Sequence, residues 1–205
     1  MIDGIERVGV YGGTFAPIHN GHVAAAKAFF EQMKLDKLLI IPAFLPPHKI
    51  IDASDNPVHR LHMCHLAFEN EIGFEISDLE IKRGGRSYTV DTLRTLSAPG
   101  RKLFLLCGTD MMLTFDEWKS FEEIFNLCCP VYIRRENDTS LDEKIIAKNN
   151  EYYQKYGVAF RRIVTDPITL SSTEIRDFVK KGMDISAFVP EKVQNYIHAM
   201  RLYES

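Results

Sequence analysis

No apolar run in the chain approaches the roughly 20 residues that a helix needs to cross a bilayer, which argues against a membrane partner. The opening MIDGIERVGV lacks the basic-then-apolar pattern of a secretory signal, so a cytoplasmic protein is expected. Cysteine is scarce: Cys64, Cys107, Cys128 and Cys129 form no C-x-x-C pair. They read as small buried hydrophobes, with Cys128 and Cys129 leading into the strand PVYIRR. An excess of basic charge is also missing. With 25 Lys and Arg against 28 Asp and Glu, the net charge is -3, which speaks against nucleic acid as the main partner. That balance leaves room for a small anionic ligand held by a local cluster of donors. Internal repeats and low-complexity segments are absent, and nothing indicates oligomeric state.

What is present is ordinary globular material. Of 205 residues 45% are hydrophobic and 26% charged, enough for one sizeable core. Residues 5–11 read as a strand ending at Gly12-Gly13, and 21–33 as a helix with Ala26, Phe29, Phe30 and Met33 on one face. KLLIIP (37–42) and KLFLLCG (102–108) are continuous apolar runs suited to buried parallel strands. Between them lie a proline-rich loop (AFLPPHKI), a helix at 59–70, an extended stretch at 73–81 and a helix at 89–96. Strands follow at 130–135 and 159–164, then helices at 174–182 and 190–200; the polar stretch 136–157 reads as an insertion or helical excursion. Alternating strands and helices predict an α/β fold over a single domain, 1–205. Its sheet is Rossmann-like and mainly parallel, with helices on both faces and a small C-terminal helical part from about 171 to 205.

The stretch GGTFAPIHNGH (12–22) carries the first chemistry. His19 and His22 flank a helix start just beyond a strand end. As a type they are compatible with metal ligation, acid–base work, phosphate binding or plain loop structure. No Cys or acidic residue lies close by in sequence, so the zinc reading is weak. Gly12 and Gly13 admit close approach of a ligand and can take positive φ, the helix start offers free N–H groups, and Thr14 adds an amide or hydroxyl. Such a set of amides and imidazoles suits a transferring phosphate more than hydrolysis. His59, His62 and His65 form a second group. At three-residue spacing on a helix they drift about 60° per step, which makes them a partly exposed face and not a metal site.

GGTFAPIHNGH resembles the signature of the nucleotidylyltransferase superfamily, G-G-T-F-D-P-x-H-x-x-H, and LSSTEIR (170–176) resembles its downstream I-S-S-T-x-x-R. Physically, Ser172 or Thr173 can cap the following helix, and Arg176 lies on the same face, within reach of the same phosphates. PPHK (46–49), SYTVDTL (87–93), GTDMMLTFDEW (108–118), IRR (133–135) and the ending VPEKVQNYIHAMRLYES are similar to the nicotinate-nucleotide adenylyltransferase family. The resemblance covers nearly the whole chain and is weakest at 136–165. It implies transfer of AMP from ATP to nicotinate mononucleotide, giving deamido-NAD and pyrophosphate, with Mg²⁺ carried by ATP and no metal ligands on the protein.

Carried over residue by residue, the resemblance puts Gly12, Gly13, Thr14, Phe15, His19 and His22 at ATP, with His22 nearest the reacting phosphoryl group. Lys49 and Arg176 join the two histidines as catalytic residues. Ser172 and Thr173 bind the triphosphate, and Gly108 and Asp110 lie at a ribose. Tyr88, Thr89, Trp118 and Lys119 form the nicotinate pocket, with Trp118 stacking on the pyridine ring, and Arg135 (or Arg134) meets the mononucleotide phosphate. From the residues alone, Trp118 is the sole tryptophan on a polar, partly exposed stretch, and Asp110 follows a strand end where ribose is commonly bound. The pattern breaks at Ala16, where the superfamily usually has aspartate. The rival readings are a nucleotidylyltransferase with nicotinamide mononucleotide or pantetheine phosphate as acceptor, or a regulatory module that kept the fold and lost turnover. The pantetheine-phosphate type generally has threonine where this chain has His19.

Overall fold

Apolar alternation along the central strands divides the core into two layers. The computed structural model describes residues 4–46, 56–134, 139–165 and 171–204. Among them six strands form one sheet: β1 (Glu6–Gly13), β2 (Lys37–Pro42), β3 (Phe74–Ile76), β4 (Arg101–Gly108), β5 (Cys128–Ile133) and β6 (Arg161–Ile163). Their order is β3-β2-β1-β4-β5-β6 and every pairing between neighbours is parallel. This is the doubly wound Rossmann order. Successive side chains leave opposite faces of a strand. Leu38 and Ile40 therefore join one buried cluster, while Leu39 and Ile41 join the other.

The first face is covered by α1 (Asn20–Gln32), α2 (Pro57–Phe68), α8 (Ser172–Lys180) and α9 (Glu191–Ala199), through Phe29, Met63, Ile175 and Ile197. The C-terminal helices thus share a core with the N-terminal ones. The second face is covered by α4 (Thr89–Leu96), α5 (Thr109–Leu113), α6 (Phe121–Leu127) and α7 (Asp142–Tyr156), through Leu93, Met112, Phe125 and Tyr152. Close packing sets the tightest approach: a Cβ on Gly9 of β1 would lie 2.4 Å from Leu35 and 2.9 Å from Phe29.

The structure departs from the sequence expectation at residues 73–81 and between β4 and β5, and it settles the polar stretch in favour of a helix. Residues 73–81 are extended only over β3 and then coil into α3 (Leu79–Arg83). The Ser77 hydroxyl accepts the Leu79 N–H at 3.4 Å and Asp78 pairs with Lys82 at 3.0 Å, local bonds that compete with a strand ladder. The polar stretch holds a full helix, α7, which turns only Ile145 and Tyr152 fully inward and stops at Gly157 in the left-handed region. Between β4 and β5 the chain forms α5, a 3-10 turn at Phe115–Glu117, and α6, where only polar flanks were read. Among the described residues, no helix is long and apolar enough to cross a membrane.

Candidate active site

From β1 the strand order runs one way to β2 and β3 and the other way to β4, β5 and β6. In such sheets ligands bind beyond the carboxyl ends of the strands at this switch point. Gly12 and Gly13 end β1, and Gly108 ends β4. A Cβ on Gly13 would lie 2.8 Å from the Phe15 ring, so that glycine is required by packing. At Gly12 the nearest atom would be the Ile41 carbonyl oxygen, 3.9 Å away, which leaves an open floor. The expected positive φ falls on neither glycine but on Phe15, at +52°. Its ring is buried, edge-on to Tyr11 and to His22 with centroids 5.4 and 5.1 Å apart. The Phe15 side chain is therefore core and seat for His22.

His19 precedes α1 as its N-cap residue, and His22 sits in the first turn. The His19 N–H donates to His22 Nδ1 at 3.3 Å, which places the proton of a neutral His22 ring on Nε2. The two imidazoles pack against each other, centroids 3.7 Å apart and ring planes tilted by 35°, with His19 buried and His22 half-buried. The expectation of free amides at this helix start needs correction. Asn20 N–H donates to Phe188 O at 2.8 Å and His22 N–H to His19 O at 2.8 Å. The Asn20 side chain is also engaged, with Ala187 O at 3.1 Å. The imidazoles of His19 and His22 stand at the positive end of this helix.

At α8 the cap is Ser171, not Ser172 or Thr173. Ser171 Oγ accepts the Glu174 N–H at 3.3 Å, and the Ser171 N–H donates to the Glu174 carboxylate at 2.8 Å. The Ser171 hydroxyl, donating to Glu174 Oε2 at 2.7 Å, and then the Ser171 N–H hold the Glu174 carboxyl below its ordinary value. Ser172 instead donates its hydroxyl to Pro17 O at 3.0 Å, and Arg176 donates to Ala16 O at 2.7 Å and to Thr173 Oγ1 at 3.1 Å. The two motifs, far apart in sequence, meet at the carbonyls on either side of the Ala16–Pro17 bond.

Arg60 is a contributor that motif reading missed. It is fully buried on α2, and its guanidinium donates to Thr14 O at 2.8 Å, Ala43 O at 2.6 Å and Phe44 O at 3.2 Å. It ties the loop after β1 to the exit of β2. The available signal was a charge on the apolar stripe of Met63, Cys64 and Phe68. His59, half-buried, meets the Tyr196 hydroxyl at 2.7 Å, while His62 and His65 are exposed, as a partly solvated face requires. Among the described residues no group of three or more His, Cys, Asp or Glu is arranged to hold a metal.

Tyr88 caps α4 and Thr89 opens it. The Lys119 ammonium lies 4.2 Å from the Tyr88 ring centroid and 3.2 Å from Asp91 Oδ2, which brings these three together. Trp118 is half-buried and stacks on Phe115, centroids 4.8 Å apart at 28°. Gly108 is the cap of α5, so Asp110 stands within the first turn and not as a cap, its side chain exposed. Arg134 pairs with Asp142. Lys49 and Arg135 lie outside the described residues.

With this geometry in view, similarity to known proteins is informative. The profile of the cytidylyltransferase-like family matches residues 10–178. The chain is 38% identical over 198 residues to the "Probable nicotinate-nucleotide adenylyltransferase" of Clostridium botulinum (strain Kyoto / Type A2), covering 95% of this chain and 98% of that protein. It is 38% identical over 214 residues to the protein of the same description from Desulfatibacillum aliphaticivorans, covering 96% and 99%. Its fold is similar to that of Plasmodium falciparum nicotinic acid mononucleotide adenylyltransferase complexed with NaAD, with a TM-score of 0.75, 19% identity and coverage of 97% and 98%. The chain belongs to the cytidylyltransferase-like family and, within it, to the nicotinate-nucleotide adenylyltransferases.

Proposed function

We propose that the protein moves AMP from ATP to nicotinate mononucleotide, giving deamido-NAD and pyrophosphate, in the cytoplasm. The observation that carries the reading is the contact between the two phosphate motifs: Ser172 and Arg176 bond to the carbonyls of Pro17 and Ala16 beside the paired rings of His19 and His22. In this reading an oxygen of the mononucleotide phosphate attacks the α-phosphorus of ATP in line. The new P–O bond forms as the bond to the β-phosphate oxygen breaks, and pyrophosphate leaves. The attacking phosphate is already anionic near neutral pH, so no general base is needed.

His22, its proton on Nε2, donates to oxygens of the reacting phosphoryl group, where charge develops. His19 holds that ring in place and donates to the phosphates beside it. Arg176, with Thr173 and the main chain of Ser172, takes the leaving pyrophosphate, and Lys49 is assigned to the same charge. Gly12, Gly13 and Thr14 supply the floor for the nucleotide, and Gly108 and Asp110 receive a ribose. Enzymes of this class generally need a divalent metal, and Mg²⁺ is assigned here as part of the MgATP substrate. The donors beside the motif loop are imidazole, hydroxyl and guanidinium, which fits an ion ligated by phosphate oxygens and not by a protein cage.

On the acceptor side, Trp118 stacks on the pyridine ring, while Tyr88 and the main-chain N–H groups of Thr89 and Lys119 surround the carboxylate. Arg135 takes the mononucleotide phosphate. Donors facing that carboxylate favour the acid over nicotinamide mononucleotide, since an amide there would leave them poorly matched. The experiment is label tracking: with ATP labelled at the α-phosphorus, the label should appear in the dinucleotide and never on the protein. Label retained on the protein, or released as free AMP, would refute direct transfer.

A further inference from the structure

Two side chains of α7 enter the second core layer and hold a single target. Tyr152 is 0% exposed, and its hydroxyl stands 3.1 Å from Asp116 Oδ1 and 3.2 Å from Met112 O while accepting the Asp116 N–H at 3.3 Å. Lys148, one turn earlier, donates to Asp116 Oδ2 at 2.7 Å and to Glu151 Oε2 at 3.2 Å. Both oxygens of the Asp116 carboxylate are thereby taken by α7. The segment between β4 and α6 is fixed at the Met112 carbonyl, the Asp116 amide and the Asp116 carboxylate. Two residues beyond Asp116 is Trp118, stacked on Phe115, and Phe115 in turn meets Phe160, just past α7, edge-on at 5.0 Å.

The network holds its protonation state near neutral pH. Burial pushes the Tyr152 phenol up to about 12, so it remains a donor. Burial also pushes Asp116 up, but its bonds from Lys148, its own amide and Tyr152 outweigh that and hold its pKa below the ordinary carboxylate value. Burial opposes the Lys148 charge, and the bonds to Asp116 and Glu151 override it, leaving the ammonium pKa above its ordinary value. The arrangement is a fixed strut.

We propose that Tyr152 and Lys148 are positioning residues for the acceptor. Through Asp116 they set where the Trp118 ring lies, and with it the affinity for the mononucleotide. The inference rests on the assignment of Trp118 to the pyridine ring. The hydrogen bonds of the strut lie within 112–152, and those that fix the motif loops involve Thr14, Ala16, Pro17, Arg60, Ser172 and Arg176. Asp110, assigned to a ribose, shares α5 with Met112, which Tyr152 bonds at its carbonyl, while Lys148 bonds to Asp116 and Glu151, so ATP binding should change much less than mononucleotide binding.

Trp118 is the sole tryptophan, so intrinsic fluorescence reports on this one ring. Nicotinate mononucleotide alone should quench the wild-type emission, and turnover with ATP should confirm its use. Tyr152→Phe and Lys148→Met should each raise the apparent Kd from quenching, and the KM for the mononucleotide, about five- to twentyfold. The KM for ATP and kcat at saturation should stay within about twofold. KM values that rise together for both substrates, or a lowered melting temperature with an unchanged mononucleotide KM, would overturn the strut. If Tyr152→Phe does not fold, Lys148→Met decides, because its side chain is 20% exposed and its loss opens little of the core. A wild-type protein that neither quenches nor turns over defeats the proposed function and the strut together. A wild-type protein that does both, beside variants that match it, defeats the strut alone.

Discussion

The half of the proposed site assigned to phosphate is pinned chiefly through main-chain carbonyls, and the half assigned to the acceptor chiefly through the side-chain carboxylates of Asp116 and Asp91. On the phosphate side Arg60 takes the carbonyls of Thr14, Ala43 and Phe44, Arg176 takes that of Ala16, and Ser172 that of Pro17. On the acceptor side Asp116 is shared by Lys148 and Tyr152, and Asp91 by Lys119 and Arg94. A carbonyl is present whatever residue carries it, so the first kind of anchoring tolerates change at the pinned positions. The second kind fails with one substitution at Asp116 or Asp91. The halves should therefore break differently: phosphate-side damage should appear in stability and turnover, acceptor-side damage in the affinity for one substrate.

The largest effect is expected at Arg60. Arg60→Met leaves three carbonyls without their donor, each costing about 1–3 kcal/mol when buried and unmet. Partial relaxation should bring the total to about 3 kcal/mol, read as a lowered denaturation midpoint with the slope unchanged. A variant as stable as wild type would show that the motif loop is held by other means.

Next comes His22→Ala, which removes a donor to the reacting phosphoryl group. A kcat lower by about 100-fold, with ATP affinity within about threefold, is expected from the usual worth of such a donor. Near-normal kcat would remove His22 from the role assigned to it.

On the acceptor side, Trp118→Ala should raise the KM for the mononucleotide about tenfold, from lost stacking and contact area. The KM for ATP should not follow. If both rise, the two halves are not separable in the way their anchoring indicates.

The smallest effect is expected at Ala16, where the superfamily pattern has aspartate. Its carbonyl, not its side chain, makes the bond to Arg176, so that bond does not depend on the residue type there. Ala16→Asp should leave kcat within about tenfold, or roughly 1.4 kcal/mol of barrier. A larger change would mean that the position is coupled to catalysis.

The same contrast explains what could be read in the sequence. KLLIIP and KLFLLCG were legible as strands because burial on both faces leaves no polar positions in the run. His19, His22 and Arg176 stood out because they sit in spaced motifs whose residue types suit phosphate, and the structure brings those two motifs into contact. The cap of α8 was available in S-x-x-E, Ser171 to Glu174, but three consecutive hydroxyl residues obscured which one takes it. α7 was harder: a stripe resting on Ile145 and Tyr152 in a polar segment does not differ from a solvated excursion. Its Lys148 and Tyr152, four apart, become informative only once Asp116 is found bonded to both. Arg60 belongs to no motif, and only its helix register beside Met63 and Cys64 sets it apart from a surface charge.

The central claim, adenylyl transfer to nicotinate mononucleotide, is tested most directly by pyrophosphate release. Purified protein with saturating MgATP should release pyrophosphate on addition of nicotinate mononucleotide, with a higher kcat/KM than with nicotinamide mononucleotide. No release with nicotinate mononucleotide would contradict the account.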